Sequence, residues 1–432
     1  MSESSFIQCC ISCGAEFDLD ARLYVCSRCG GLLDIERLAK IDAAPLRELW
    51  RQRRSSFDPR DRSGVWRFRE FLPFTDDTEI VSLGEGNTPL YDAPRSADYC
   101  GLSNLRLKHQ GSNPTGSFKD TGMTAAVTQA RKLGARLVVC ASTGNTAASL
   151  AAYAARADLL CAIVVPSGQV SHAKLAQALD YGARVLEVDG NFDTCMNLIR
   201  ELAEDESVYL VNSINPFRIE GQKTVAFELA EQLEWRVPDH LVVPGGNLGN
   251  SSAFGKGFRE LLESGFIERQ PRITVVQAEG AAPFAQFYSN DEHESFVNEE
   301  HPQTLASAIK IGAPVSWQKA WRAVRETGGS VITVTEQEIA DAKAMIGRDG
   351  IGCEPASATT VAGIRKLVGE GEIKKHESVI AVLTGHLLKD TDYVMNYHTQ
   401  NLIAPDGTHL ASTFANVPIR IQSVKSVADI LK

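Results

Sequence analysis

The residues best placed to do chemistry lie in NPTGSFKDTGM, residues 113–123, where Lys119 follows a loop of small residues and precedes an apolar helical pattern. Met123, Ala126, Val127 and Ala130 recur at i, i+3, i+4 and i+7, the spacing of one buried helix face. Pro114, Gly116 and Ser117 supply the turn and cap before it, so Lys119 falls at the helix mouth. The positive end of the helix dipole lies there and disfavours a second positive charge. That favours the neutral amine, the form that attacks a carbonyl to make a Schiff base. A first-turn lysine that snorkels to solvent is the alternative.

Three further loops each come at the end of a strand pattern. ASTGNT, residues 141–146, crowds hydroxyls, an amide and backbone N–H groups at a helix start, where a carboxylate could be received; a routine N-cap reads the same way. PGGNLGN, residues 244–250, has glycines that let backbone amides gather around a phosphate. It is neither a dinucleotide fingerprint nor a P-loop. VLTGH, residues 382–386, ends a strand with the Thr384 hydroxyl, a neutral partner that would leave a pyridine nitrogen largely unprotonated. A lysine amine, a phosphate cradle, an asparagine and a hydroxyl together are what pyridoxal phosphate requires.

Cys10, Cys13, Cys26 and Cys29 form C-x2-C-x12-C-x2-C, with Gly14, Gly30 and Gly31 giving the turns their freedom. Four thiolates so spaced suit a tetrahedral structural zinc that staples a segment too small for its own core. A rubredoxin-like iron site and a vestigial set of free thiols are the alternatives. Cys9 is a spare neighbour. Cys100, Cys140, Cys161, Cys195 and Cys353 stand among apolar residues and read as core.

These pieces need a scaffold, and 432 residues, 44% hydrophobic, suffice for two or three domains. From Arg136 onward apolar strands alternate with helical patterns, which indicates parallel sheets covered on both faces. The units are too many for one compact sheet, so two α/β lobes with a cleft are expected. The expected division is a zinc-ribbon-like knuckle (1–35), an Arg-rich arm (36–80), a large cofactor-binding domain (81–120 with 213–432) and a small α/β domain (121–212). The polar stretch around residues 289–307 reads as a surface loop. A net charge of −10 argues against a nucleic-acid or anionic-membrane surface. The N-terminus has no signal-peptide pattern, so a cytoplasmic protein is expected.

The segments NPTGSFKDTGMT, ASTGNTAASLAAYAA, NSINPFRIEGQKTVAFEL, VVPGGNLGN, GCEPASATTVAGI and LTGHLLKD resemble, in this order, the threonine synthases. These belong to the fold-type II, tryptophan synthase β-like, pyridoxal-phosphate enzymes. The resemblance implies conversion of O-phospho-L-homoserine and water to L-threonine and phosphate. It implies that Lys119 bonds the cofactor and acts as base, and that Gly246, Asn247, Leu248, Gly249 and Asn250 hold its phosphate. Asn145 and Thr384 would contact the ring hydroxyl and ring nitrogen. Ser142, Thr143 and Thr146 would hold the substrate carboxylate, and Ser213, Arg218 and Asn250 its phosphate. An Arg218 salt bridge with Glu220 or Glu228 is the plain structural reading. Many bacterial members have arginine where Thr121 stands; plant-type members lack it, but their activation by S-adenosylmethionine is not implied by this four-cysteine N-terminus. Cysteate synthase, a threonine or serine dehydratase and a non-catalytic zinc-ribbon interaction protein are the alternatives. A homodimer is one possible assembly.

Overall fold

Strands rich in valine, isoleucine and leucine can lose both faces to a core only if helices cover both sides of their sheet. The computed structural model of this chain, which describes residues 5–168, 172–290 and 295–418, is built that way. Its largest sheet has the order Val331–Val334, Arg272–Ala278, His240–Pro244, Val379–Leu383, Leu105–His109, Leu90–Asp92. The first five strands run parallel and Leu90–Asp92 closes the edge antiparallel. A second, all-parallel sheet has the order Arg184–Val188, Leu160–Pro166, Leu137–Ala141, Val208–Leu210. Two α/β sheets were expected from the alternating pattern, and two are found. A small antiparallel sheet, Glu16–Phe17, Phe6–Cys10 and Leu33–Arg37, carries the cysteine knuckle. No helix among the described residues is long and apolar enough to cross a membrane.

The Arg-rich stretch is not a loose arm. It forms helices Ala43–Arg53 and Pro59–Arg62 and a 3-10 turn, Trp66–Phe71, with Trp50, Trp66, Phe68 and Phe71 buried. Trp50 stacks on Phe266 at 4.7 Å and meets the edge of Phe68 at 4.8 Å. Charge dominated the sequence pattern here, but the arginines pair off, Arg67 with Glu231 at 2.8 Å and Arg53 with Glu70, so the aromatic residues can be buried between them. Residues 291–294 of the polar stretch lie outside the described residues; the 3-10 turn Ser307–Ile309 closes it.

Three helices run through the middle: Lys119–Lys132, Phe217–Gln232 and Gly249–Glu263. Phe217–Gln232 starts five residues earlier than its apolar pattern suggests, because Pro216 fixes the entry and the Asn215 side chain accepts from the Phe217 N–H at 3.0 Å. Arg218 thereby enters its first turn. Helices with side chains between them pack about 8–10 Å apart; here glycines permit backbone contact. A Cβ on Gly221 would sit 1.9 Å from the Thr121 carbonyl oxygen, and one on Gly122 2.7 Å from that of Arg218. Gly257 similarly faces the Lys223 carbonyl, at 2.6 Å from its would-be Cβ.

Gly221→Ala should therefore cost about 3 kcal/mol or more by overpacking. Gly347→Ala, at a helical glycine whose Cβ would meet nothing within 4 Å, should be neutral or stabilising by up to about 1 kcal/mol. Thermal unfolding of the two variants side by side checks the contrast; equal melting temperatures would show that the helix crossing tolerates a methyl group.

Candidate active site

Lys119 begins the helix Lys119–Lys132, and its approach is pinned on both sides. Phe118 N–H donates to the Thr384 carbonyl at 2.9 Å, and His386 N–H donates to that of Gly116, also at 2.9 Å. The buried Asp120 carboxylate accepts from Thr115 N–H (2.7 Å), the Thr115 hydroxyl (2.6 Å) and the Ser149 hydroxyl (2.6 Å). Burial raises Asp120 to about 6 against those three donors, so it sits near a protonation threshold. The lysine loop is thus clamped to the end of strand Val379–Leu383 on one side and to helix Asn145–Arg156 on the other.

The Lys119 amine is depressed to about 7, first by desolvation, then by the Arg218 charge, with Glu354 opposing. A shift toward the neutral amine is what the sequence leads one to expect, and burial with the neighbouring Arg218 cation contributes to it. The amine also lies 4.3 Å from the centre of the Phe118 ring.

Glu354 joins two of the sequence-derived positions. Its carboxylate accepts from Asn145 Nδ2 at 2.9 Å and from the Thr384 hydroxyl at 3.2 Å. Burial raises its pKa, partly offset by Asn145 and Thr384. Ser357 supports Thr384: its hydroxyl lies 3.0 Å from that of Thr384 and accepts from the Thr384 N–H at 2.8 Å. Neither Glu354 nor Ser357 stood out in the sequence. The signal was there in GCEPASATT, where a lone carboxylate precedes a helix of small and apolar residues.

The loop at residues 244–250 follows strand His240–Pro244 and opens helix Gly249–Glu263. Leu248 takes the left-handed conformation at φ 63° with its side chain buried, strain of the kind that clusters at ligand clamps. No side chain caps this helix, so its first amides remain available to an anion. Asn247 holds the adjacent chain, its carbonyl accepting from Ser316 N–H at 3.2 Å. Asn250 is buried, with its Oδ1 unpaired. A Cβ at Gly246 would press on the Ile309 backbone at 3.2 Å, so glycine lets this loop pack closely there. Helix Asn145–Arg156 is likewise uncapped by any side chain, with Ser142, Thr143, Asn145 and Thr146 only partly buried at its mouth. Asn212 fixes the strand leading to it by a pair of 3.1 Å hydrogen bonds with Ala141, a support the sequence reading missed.

Arg218 is 2% exposed, yet no carboxylate among the described residues pairs with it. Glu220 is taken by Lys223 and Lys256, and Glu228 by Lys108, so neither of the salt bridges considered from sequence forms. Its Nη1 reaches only the Val211 carbonyl at 3.4 Å, and Nε has no partner. Burial lowers its pKa to about 10. Ser213 lies just before it, partly buried. A buried guanidinium without a counter-charge is costly unless an anion arrives. An amine with a depressed pKa, two uncapped helix mouths, the polar side chains of Asn145, Glu354 and Thr384, and this arginine form a set that fits pyridoxal phosphate and an anionic substrate.

Away from this site, the sulfurs of Cys10, Cys13, Cys26 and Cys29 lie within 4.8 Å of one another. The Cys10–Cys29 and Cys13–Cys26 separations are 3.5 and 3.7 Å, against about 3.8 Å for a tetrahedron with 2.3 Å zinc–sulfur bonds. Burial opposes the Cys10 thiolate, but N–H groups of Cys13 and Ser12 and the Cys29 and Cys13 thiols bring its pKa down to about 6.

Residues 81–385 match the family of pyridoxal-phosphate dependent enzymes, and the chain belongs to that family. The solved structures agree on the fold: serine racemase of Dictyostelium discoideum superposes with a TM-score of 0.58 over 70% of this chain and 92% of its own, at 25% identity. An L-serine ammonia-lyase of Rhizomucor miehei gives 0.62 over 74% and 100%, at 20% identity. Threonine synthase of Methanocaldococcus jannaschii is 46% identical over 89% of this chain and 93% of its own length. That of Methanosarcina acetivorans is also 46% identical, over 90% and 93%.

A depressed Lys119 makes a direct prediction, since only the unprotonated amine is nucleophilic. In the cofactor-free protein, acylation of Lys119 followed by mass spectrometry should rise with pH and be half-maximal near 7, against about 10.4 for an ordinary lysine. A midpoint near 10 would show that burial and Arg218 do not tune the amine.

Proposed function

We propose that the chain is a threonine synthase: it converts O-phospho-L-homoserine and water to L-threonine and phosphate with pyridoxal phosphate. The observation that carries this reading is Arg218, a buried cation with no carboxylate partner among the described residues, whose charge acts on a lysine amine depressed to about 7. Dehydration of serine or threonine needs no second phosphate site, so the arginine favours a phosphorylated substrate. The identities over nine-tenths of the chain point the same way.

Lys119, Asn145, Thr384 and the amides of Gly246–Asn250 would hold the cofactor, which supplies an electron sink for negative charge developed at the substrate Cα. The uncapped mouth of helix Asn145–Arg156, with Ser142, Thr143 and Thr146, orients the substrate carboxylate. Arg218, helped by Ser213 and Asn250, holds the γ-phosphate, a planar fork suited to phosphate oxygens. Lys119, free and with its unprotonated form accessible near neutral pH, takes the Cα proton and returns one when the product forms. A proton leaves Cβ, the Cγ–O bond to phosphate breaks, Cγ gains a proton, and water supplies the hydroxyl at Cβ. Glu354 sets the orientation of Asn145 and Thr384 through its two hydrogen bonds.

The four-cysteine knuckle holds a structural zinc in this reading, with no open position for water and no part in the chemistry. It braces the N-terminal sheet, whose Asp34 accepts from Lys256 of helix Gly249–Glu263 at 2.8 Å.

Lys119→Ala should abolish phosphate release from O-phosphohomoserine while leaving the far-ultraviolet circular dichroism intact; normal turnover would remove Lys119 from the mechanism. Arg218→Ala should raise KM for phosphohomoserine by about tenfold to a hundredfold, the loss of one charge-assisted pair, with pyridoxal phosphate still bound. Loss of the cofactor with unchanged substrate affinity would reverse the two phosphate assignments. Metal analysis should give about one zinc per chain. Cys26→Ser should lower the protease resistance of the N-terminal segment more than it lowers activity; a metal-free protein with an ordered, fully active N-terminus would make the cluster vestigial.

A further inference from the structure

A cavity of about 380 Å³ lies between the cysteine knuckle and the helices Gly249–Glu263 and Trp317–Thr327, apart from the Lys119 site. Four of its lining side chains are cations, Lys256, Arg259, Lys319 and Arg322, and one is a carboxylate, Asp34. Asp34 is already engaged by Lys256 at 2.8 Å and stands 3.6 Å from Lys319. Glu220 offsets Lys256 from behind, and at the rim Glu326 takes Arg322 at 2.7 Å and Arg259 at 3.4 Å, with Glu263 also 3.9 Å from Arg259. Lys319 is left with a shared carboxylate and the Leu33 carbonyl at 2.6 Å. Burial lowers its pKa, reinforced by Lys256 and opposed by Asp34 and Glu220. Ser12, Ser252 and Gln318 add neutral donors, while Ile11, Ile219 and Ala323 make an apolar wall.

We propose that this cavity is a second anion site, taking a small phosphate monoester whose phosphate meets Lys319, Arg259 and Arg322 and whose organic body lies against Ile11, Ile219 and Ala323. Guanidinium forks and ammonium groups are the donors phosphate oxygens take best. The volume exceeds what a bare phosphate needs, and the apolar wall gives the remainder something to bury. Two cysteines of the knuckle, Cys10 and Cys13, bracket Ile11 and Ser12, so the knuckle forms one side of the site. The other side is built from helices that also carry the catalytic centre. Ser252 is on the helix that opens with the 244–250 loop, and Ile219 follows Arg218. An occupant therefore bears on both phosphate-holding elements from outside the cleft.

Calorimetric titration of the full-length holoenzyme with sn-glycerol 3-phosphate and with inorganic phosphate, at constant ionic strength, tests this. The native protein should show two sites for the ester, and Arg218→Ala should retain one. Arg322→Gln and Lys319→Met, each in the native background, should weaken that retained site by about tenfold to a hundredfold, one charge-assisted hydrogen bond, and leave turnover of O-phosphohomoserine at its native rate. A single site in the native protein that Arg218→Ala removes, or a second site indifferent to both Arg322→Gln and Lys319→Met, would overturn the proposal. Inorganic phosphate binding as tightly as the ester would overturn the organic occupant. The outcome is separable from the catalytic reading: two sites unaffected by Arg218→Ala would count against Arg218 and leave the cavity assignment standing.

Discussion

The backbone contact between helices Lys119–Lys132 and Phe217–Gln232 is the constraint on which the site depends. Glycine at 122 and at 221 removes the side chains that would otherwise hold the helices apart, and each faces a carbonyl of the other helix. The consequence is electrostatic. Lys119 and Arg218 both fall in first turns, and the close crossing puts the guanidinium charge within reach of the amine. A spacing enlarged by side chains would weaken that repulsion and admit water, and the lysine would regain its proton. Helix packing, usually a matter of stability, here also brings a cation near the amine of Lys119.

Buried charge elsewhere shows how unusual the site is. Lys108 is fully buried against Glu228, which also accepts from Thr88 N–H at 2.8 Å. Lys223 is shared between Glu220 at 2.6 Å and Glu260 at 2.8 Å. These groups follow the ordinary rule that a charge taken from water brings its partner. Arg218 breaks the rule within two residues of Glu220, whose carboxylate faces Lys223 and Lys256 instead. Among the described residues, Arg218 thus has no carboxylate partner within the fold. An anion from solution would supply that partner, and the two uncapped helix mouths would offer it further donors.

Much of this was legible in the chain. Apolar strand runs alternating with helical periodicity require covered parallel sheets. The spacing of four cysteines in two C-x2-C pairs gives a metal-sized cluster, because ligand geometry there is local to two turns. The lysine loop, the 141–146 turn, the 244–250 turn and the Thr384 strand end announce themselves through glycine, hydroxyl and amide residues at element boundaries. Local residue types suffice for such features, since strand ends and helix starts fix where backbone amides and short side chains go.

What the tertiary structure decided concerns partners far apart in sequence. The aromatic residues of the 43–71 stretch looked like part of a charged arm, and only packing against Phe227 and Phe266 shows them to be core. Glu354 shows in GCEPASATT only as a lone carboxylate before a helix; its role rests on Asn145, 209 positions away, and Thr384. Arg218 looked equally suited to a salt bridge with Glu220 or Glu228 until both carboxylates were seen to face other cations. The sequence determined which groups are present and which lie at the ends of elements. Whether a charge is paired, and so whether an amine is neutral or an arginine awaits an anion, depends on distance and desolvation across helix contacts, which local sequence does not encode.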